Sequence, residues 1–176
     1  QDAIAPQAYP IHPGGNIAAR LSASAGDAEA EMAKCDYILD GGYETPAIHH
    51  AAIEPHVALA EWSPSGKLSV YSPNQNTFAF RVILSDIFGL PYSKIRVAAP
   101  AIGGAFGGKL EVTIEPVAAV LSRMAGRPVK IVLTRKETIM STRVRHGSLN
   151  SIKTGFMRDG TIRAVVFKMY TNTGAY

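Results

Sequence analysis

The sequence predicts an α+β fold, a mixed sheet with hairpins covered by helices. Three observations carry this. Two pairs of strand-like runs, 57–62 with 68–71 and 148–156 with 162–170, are each joined by a short turn. Two longer segments, 77–88 and 111–125, place apolar residues at helical spacing. No internal repeat organises the 176 residues, and 47% hydrophobic content suffices for one sizeable core.

Taken in order, residues 1–20 are rich in proline, glycine and alanine and read as a linker or extended arm. The boundary falls at 25: 1–25 as linker or the tail of a preceding domain, 26–176 as the first part of the main domain. Asp27 caps a short helix over 28–34, and 37–43 is a strand. The first hairpin turns at Pro64-Ser65-Gly66. Asn76 or Thr77 caps the helix running to Phe88, with Phe78, Val82, Leu84, Ile87 and Phe88 inward; Gly89 and Pro91 stop it. Residues 94–99 form a strand. The helix over 111–125 buries Val112, Ile114, Val117, Val120, Leu121 and Met124. Its Pro116 requires an early kink or a start near 115. Residues 129–133 are a strand, and Arg158-Asp159-Gly160 turns the second hairpin.

The densest chemical signal is Gly103-Gly104-Ala105-Phe106-Gly107-Gly108-Lys109. Glycine at this density lets backbone approach a partner closely or take dihedrals that side chains forbid. Placed between a strand-like and a helix-like run, the loop suits an anionic, phosphate-bearing cofactor. Two common motifs fail. A phosphate loop needs a hydroxyl where Leu110 stands. A dinucleotide fingerprint needs glycine at Ile102 and an acidic residue near Thr134, Arg135 and Lys136. Phe106 either pins the loop to the core or walls a pocket, and Lys109 either meets a phosphate or is solvated. Gln75 sits between a strand end and a helix start, a position that favours ligand-facing side chains.

Other readings narrow the field. His49, His50, Glu54 and His56 lack zinc-motif spacing, so no metal ligands are assigned, and Glu54 reads as a structural carboxylate bonded to nearby backbone. Cys35 is the only cysteine, which excludes an internal disulfide, a thiolate zinc site or iron–sulfur ligation by this chain; it reads as a small buried hydrophobe. Net charge is +4 and scattered. The stretch from Arg123 to Arg145 is a solvated face, or one for an anionic cofactor or partner subunit, and not a nucleic-acid platform. No apolar run reaches membrane-spanning length and no signal-peptide pattern is present, so a cytoplasmic protein is expected. The abrupt ends predict a piece of a longer protein.

Together these segments resemble the molybdenum-cofactor-binding subunit of the xanthine dehydrogenase and aldehyde oxidase family. The resemblance rests on 3–16, on His49-His50-Ala51-Ala52-Ile53-Glu54-Pro55, on Ser72-Pro73-Asn74-Gln75-Asn76-Thr77, on the glycine loop and on Asn172-Thr173-Gly174-Ala175-Tyr176. It implies a partial molybdopterin-binding domain, truncated at its C-terminal end. Gly103, Gly104, Ala105, Phe106, Gly107 and Gly108 would then hold the pterin, with Gln75 at the apical side of molybdenum. Gln75 and Phe106 would support catalysis, and the general base would lie outside this chain, so none of Glu44, Glu54, Glu61 or Glu111 takes that role. The implied reaction is water-dependent oxidative hydroxylation of a small molecule, an aldehyde or an N-heterocycle. Electrons would leave through [2Fe-2S] clusters and FAD on other domains or subunits. The partners implied are the remainder of the molybdenum-binding subunit and those iron–sulfur and FAD units; the isolated chain is expected to bind no cofactor. Xanthine-oxidising members carry glutamate after the loop lysine. Here Leu110 stands there and Glu111 follows, about 100° further round a helix, which argues against xanthine itself. The alternatives are a non-catalytic scaffold and a nucleotide-binding module.

Overall fold

The computed structural model describes residues 4–5, 7–11 and 14–174. The chain divides into two compact units, residues 1–43 with 150–169 and residues 44–149 with 170–176. The architecture is α+β, as expected. Parts of the N-terminal arm and of the 172–176 segment lie outside the described residues. Among the described residues, no helix is long and apolar enough to cross a membrane.

In the first unit, Asp27 caps α1 (Ala28–Met32), its carboxylate accepting from Ala30 N–H at 2.9 Å. Three strands that lie mostly in this unit, β1 (Tyr37–Thr45), β6 (Ser148–Phe156) and β7 (Ile162–Thr171), are ordered β1-β6-β7. The expected second hairpin is present, closed by Met157 N–H to Thr161 O at 2.9 Å. Gly155 is required by close packing: a Cβ there would lie 2.6 Å from both Cys35 Sγ and Met32 Sδ. Cys35 is thus half-buried against the sheet, its thiol directed to Glu31 O at 3.3 Å. Lys34 and Arg163 both bond to Glu31 and draw its carboxyl down to about 2.

The second unit holds the main core. Its sheet runs β4-β3-β2-β5, with β2 (Val57–Trp62), β3 (Leu68–Tyr71), β4 (Ile95–Ala98) and β5 (Val129–Val132). The hairpin β2–β3 is antiparallel, as is β2–β5; β3–β4 is parallel, joined through α2 (Thr77–Phe88). Period-two alternation puts Ala58 and Ala60 of β2 and Leu68 and Val70 of β3 inward. They meet Leu84 of α2, Ile95 of β4, and Ala118 and Ala119 of α3 (Glu115–Ala125). Trp62 at the edge of this core donates its indole N–H to Ala119 O at 2.8 Å.

Leu84 is buried and Phe88 and Ile114 pack against the core as expected, but the rest of both helix faces differs. On α2 the buried residues are Phe80 and Leu84, one turn apart, while Phe78, Val82 and Ile87 are exposed. On α3 the buried residues are Glu115, Ala118, Ala119 and Ser122, while Val117, Val120, Leu121 and Met124 are exposed. On α3 the cause is the alanine stripe of β2, on which that helix packs. Small residues facing small residues let helix and sheet approach closely, so the alanines turn in and the large side chains turn out. Pro116 lies in the first turn of α3, where its missing N–H costs nothing. The start near 115 is therefore correct, and the helix is not kinked.

A helix that the hydrophobic pattern does not reveal, α4 (Arg135–Ser141), follows β5. Thr134 and Glu137 form a capping box: Thr134 Oγ1 accepts from Glu137 N–H at 3.2 Å, and Glu137 Oε2 accepts from Thr134 N–H at 2.7 Å. Part of the basic stretch is therefore helical. Thr134→Ala is expected to destabilise the protein by about 1 kcal/mol, read as a lower urea midpoint at unchanged slope.

Candidate functional site

The glycine loop follows β4 and is held from two sides. On one side lies the segment before β2. Gly103 N–H donates to Glu54 Oε2 at 2.9 Å, and Glu54 N–H donates to Gly103 O at 3.0 Å. The same carboxylate oxygen accepts from Lys109 Nζ at 2.8 Å. Lys109 is 2% exposed, so it is neither solvated nor free to meet a phosphate. Burial pushes the Glu54 carboxyl up, but the bonds from Lys109 and Gly103 N–H and the lysine charge outweigh it, leaving the group below its usual range. The expected structural carboxylate is thus confirmed, and it clasps both ends of the loop.

The same segment makes the bed on which the loop rests. Ala52 is buried against Gly104, and His50 lies against Gly107 and Gly108. His56 is buried and its Nε2–H donates to Gly108 O at 3.1 Å. His49 Nδ1 accepts from Ala51 N–H at 3.0 Å. Thr142 donates its hydroxyl hydrogen to Thr138 O, so His49 Nε2 donates to Thr142 Oγ1 at 3.1 Å. Ala51 adopts a left-handed φ of 49° to set this geometry. Burial, the neighbouring His49 and two arginines hold the His50 imidazole below its ordinary value; burial does the same for His56, more than the Gly108 carbonyl restores. Among the described residues, no three His, Cys, Asp or Glu side chains form a metal-ligand set.

Gln75 holds the loop from the other side. Asn74, buried after β3, accepts from Asn76 N–H and donates to Ser72 O, a turn that leaves Gln75 exposed. Gln75 N–H donates to Lys109 O at 3.0 Å. Its Oε1 accepts from Gly107 N–H at 3.1 Å and Lys109 N–H at 3.3 Å. Both partners are donors, so only the amide oxygen can face them. The amide Nε2 has no hydrogen-bond partner among the described residues.

Each loop residue now has a physical reason. A Cβ on Gly103 would fall 2.6 Å from Glu54 Cβ. Gly104 and Gly107 take φ of 95° and 93°, and a Cβ on Gly108 would fall 3.0 Å from His50 Nδ1. Phe106 is strained at φ 54° and its ring is two-thirds exposed, so it does not pin the loop to the core. The N–H groups of Gly103, Gly107, Gly108 and Lys109 bond within the protein. Those of Gly104, Ala105 and Phe106 have no partner among the described residues. Gly103→Ala is expected to cost about 1–3 kcal/mol by overpacking against the pinned Glu54, read as a lower denaturation midpoint.

The strand-to-loop entry is as expected, but the helix is not adjacent. Residues 110–114 separate the loop from α3, so the helix N-terminus does not open directly from it. Leu110 is exposed beside the loop, and Glu111 is drawn to Arg143 at 2.7 Å. Sequence reasoning placed Gln75 and the loop around one cofactor but not in direct contact; it missed their hydrogen bonds, the Glu54–Lys109 pair and the histidine bed. The signal of the pair and the bed was present in the compact run from His49 to His56, which a metal template does not fit.

What remains, among the described residues, is three successive loop amides without a hydrogen-bond partner, those of Gly104, Ala105 and Phe106, and beside them the side-chain amide of Gln75. Such a set fits a cofactor bearing phosphate and other acceptors, as molybdopterin does. A family model described as the molybdopterin cofactor-binding domain matches residues 11–176. The chain is 35% identical over 175 residues to the xanthine dehydrogenase molybdenum-binding subunit of Escherichia coli O157:H7, covering 99% of this chain and 23% of that protein. It is 33% identical to the nicotinate dehydrogenase large molybdopterin subunit of Eubacterium barkeri, covering 94% of this chain and 39% of that one. Among solved structures, the aldehyde oxidoreductase of Desulfovibrio gigas superposes with a TM-score of 0.79 at 25% identity, over 96% of this chain and 19% of that chain. The chain thus spans between a fifth and two-fifths of the length of these relatives. It belongs to the molybdopterin-binding subunits of the xanthine dehydrogenase and aldehyde oxidase family.

Proposed function

We propose that this chain supplies part of the molybdopterin pocket of a molybdenum hydroxylase that oxidatively hydroxylates an aldehyde or an N-heterocycle with oxygen from water. The observation that carries this reading is the orientation of Gln75. Its oxygen is committed to two loop N–H groups, and its Nε2, without a partner among the described residues, is available to a ligand alongside the amides of Gly104, Ala105 and Phe106. When bound, the molybdenum cofactor supplies the two-electron redox chemistry. The loop amides bind its anionic and acceptor groups, and Gly103, Gly107 and Gly108 keep the loop in shape. The Gln75 amide supplies a fixed donor, needing no reorganisation as charge develops. The exposed Phe106 ring offers a flat apolar surface that orients a substrate. The leucine at 110, and a Glu111 held by Arg143, favour a substrate other than xanthine.

The further parts of the reading rest on the family resemblance, with the single cysteine excluding iron–sulfur ligation by this chain. The general base, the [2Fe-2S] clusters and FAD come from the remainder of the subunit or from partner subunits, and residues 1–25 are a linker or the tail of a preceding domain. A nucleotide-binding module is disfavoured, because the one loop lysine is buried against Glu54. The test is molybdenum and pterin content of the full-length protein, co-expressed with its neighbouring subunits in a host that assembles the cofactor. Near-stoichiometric amounts of both are expected. Absence of both would leave the non-catalytic scaffold as the reading.

A further inference from the structure

Beside the glycine loop lies a small cavity of about 10 Å³, whose lining includes His49, His50, His56, Ala105, Gly108 and Thr138. That is close to the least space that holds one water molecule. Three of its lining residues carry a buried side-chain atom without a hydrogen-bond partner among the described residues: His50 Nδ1, His56 Nδ1 and Thr138 Oγ1. His56 is 7% exposed and Thr138 2%. Buried polar atoms seldom stay unpaired, and each one left so is costly.

The protonation of His56 follows from its other nitrogen. A carbonyl only accepts, so the contact with Gly108 O places the proton on Nε2. In the neutral ring, Nδ1 is then a bare acceptor that requires a donor. Thr138 Oγ1 can both donate and accept. A water, with two hydrogens and two lone pairs, can serve all three atoms at once. A cation is disfavoured, because the carboxylate lining the same cavity, Glu54, already carries the charge of Lys109 in an ion pair and leaves no net negative charge for a second cation.

We propose that one ordered water occupies this cavity and is hydrogen-bonded to His50 Nδ1, His56 Nδ1 and Thr138 Oγ1. It joins α4 to the loop: Thr138 holds the water, the water holds His56, and His56 holds the Gly108 carbonyl. Thr138 and His56 are positioning residues in this chain of contacts. The site does not depend on whether the loop takes a cofactor.

Crystals of the full-length protein, at a resolution that shows ordered water, test this directly. The expected result is one peak within about 2.7–3.2 Å of all three atoms. The peak should vanish in Thr138→Val, which keeps shape but removes the hydroxyl, and persist in Thr138→Ser. An empty cavity in the wild type overturns the proposal, as does a peak that survives Thr138→Val unchanged. A peak that acquires anomalous signal after a thallium(I) soak identifies a cation and also overturns it. If the valine variant does not fold, the wild-type map and the thallium soak still decide.

Discussion

Glu54→Ala should destabilise the protein by about 3–5 kcal/mol, the range for breaking a buried ion pair by removing one partner. The reason is asymmetry of burial. Lys109 is almost wholly buried, whereas Glu54 keeps part of its surface in water. Removing the carboxylate therefore strands an ammonium that has no other partner among the described residues, and frees the Gly103 N–H as well. Glu54→Gln should fall between, since it still accepts from Gly103 but cancels no charge. The pH dependence has a definite sign. The folded-state value of Glu54 is depressed, so its contribution is fully present above the unfolded value, about 4.3. It is lost as pH falls through the folded value. Urea unfolding followed as a function of pH should show a smaller acid-side loss in Glu54→Ala than in the wild type, the remainder coming from carboxylates such as Glu31 that are also drawn down. An alanine variant as stable as wild type would show that the loop does not depend on this pair.

Gln75→Leu should lower turnover of the cofactor-loaded enzyme by about 100-fold or more, the scale for losing one preorganised donor. The substitution also leaves the Gly107 and Lys109 N–H groups without their acceptor, at a stability cost of about 1–3 kcal/mol. Gln75→Glu separates the two effects. Its carboxylate can accept both loop N–H groups, but it offers no donor outward. Loop stability should recover while turnover does not. If Gln75→Leu instead turns over at the wild-type rate, Gln75 has no catalytic role and serves only to hold the loop.

Much of this was legible in the sequence because it rests on local rules. Strand alternation, the Asp27 and Asn76 caps, the Gly89 stop and both hairpin turns depend on residues within a few positions of one another. The glycine loop was visible for the same reason. The inward faces of α2 and α3 were legible only in part, because which residues turn in depends on the sheet they meet. Ala58 and Ala60 select Ala118 and Ala119 over the larger Val117 and Val120, and nothing in the helix's own periodicity says so. The short α4 was signalled by Thr134-Arg135-Lys136-Glu137, a capping box hidden inside a run read only for charge. At the site, Glu54 and Lys109 are 55 positions apart. Their pairing is a product of the fold, and reading either residue alone leaves the lysine's role open.

The exposed side of α3 reverses the usual division of labour on a surface helix. Alanine and serine face its own sheet, while Val117, Val120, Leu121 and Met124 face outward. An apolar strip of this kind in water favours self-association. Solutions of the chain by itself should therefore cloud or oligomerise as concentration rises, for reasons unrelated to the integrity of the glycine loop. Colloidal behaviour and binding competence are separate properties of this molecule, and a poorly soluble preparation says nothing about whether its donor surface is correctly formed.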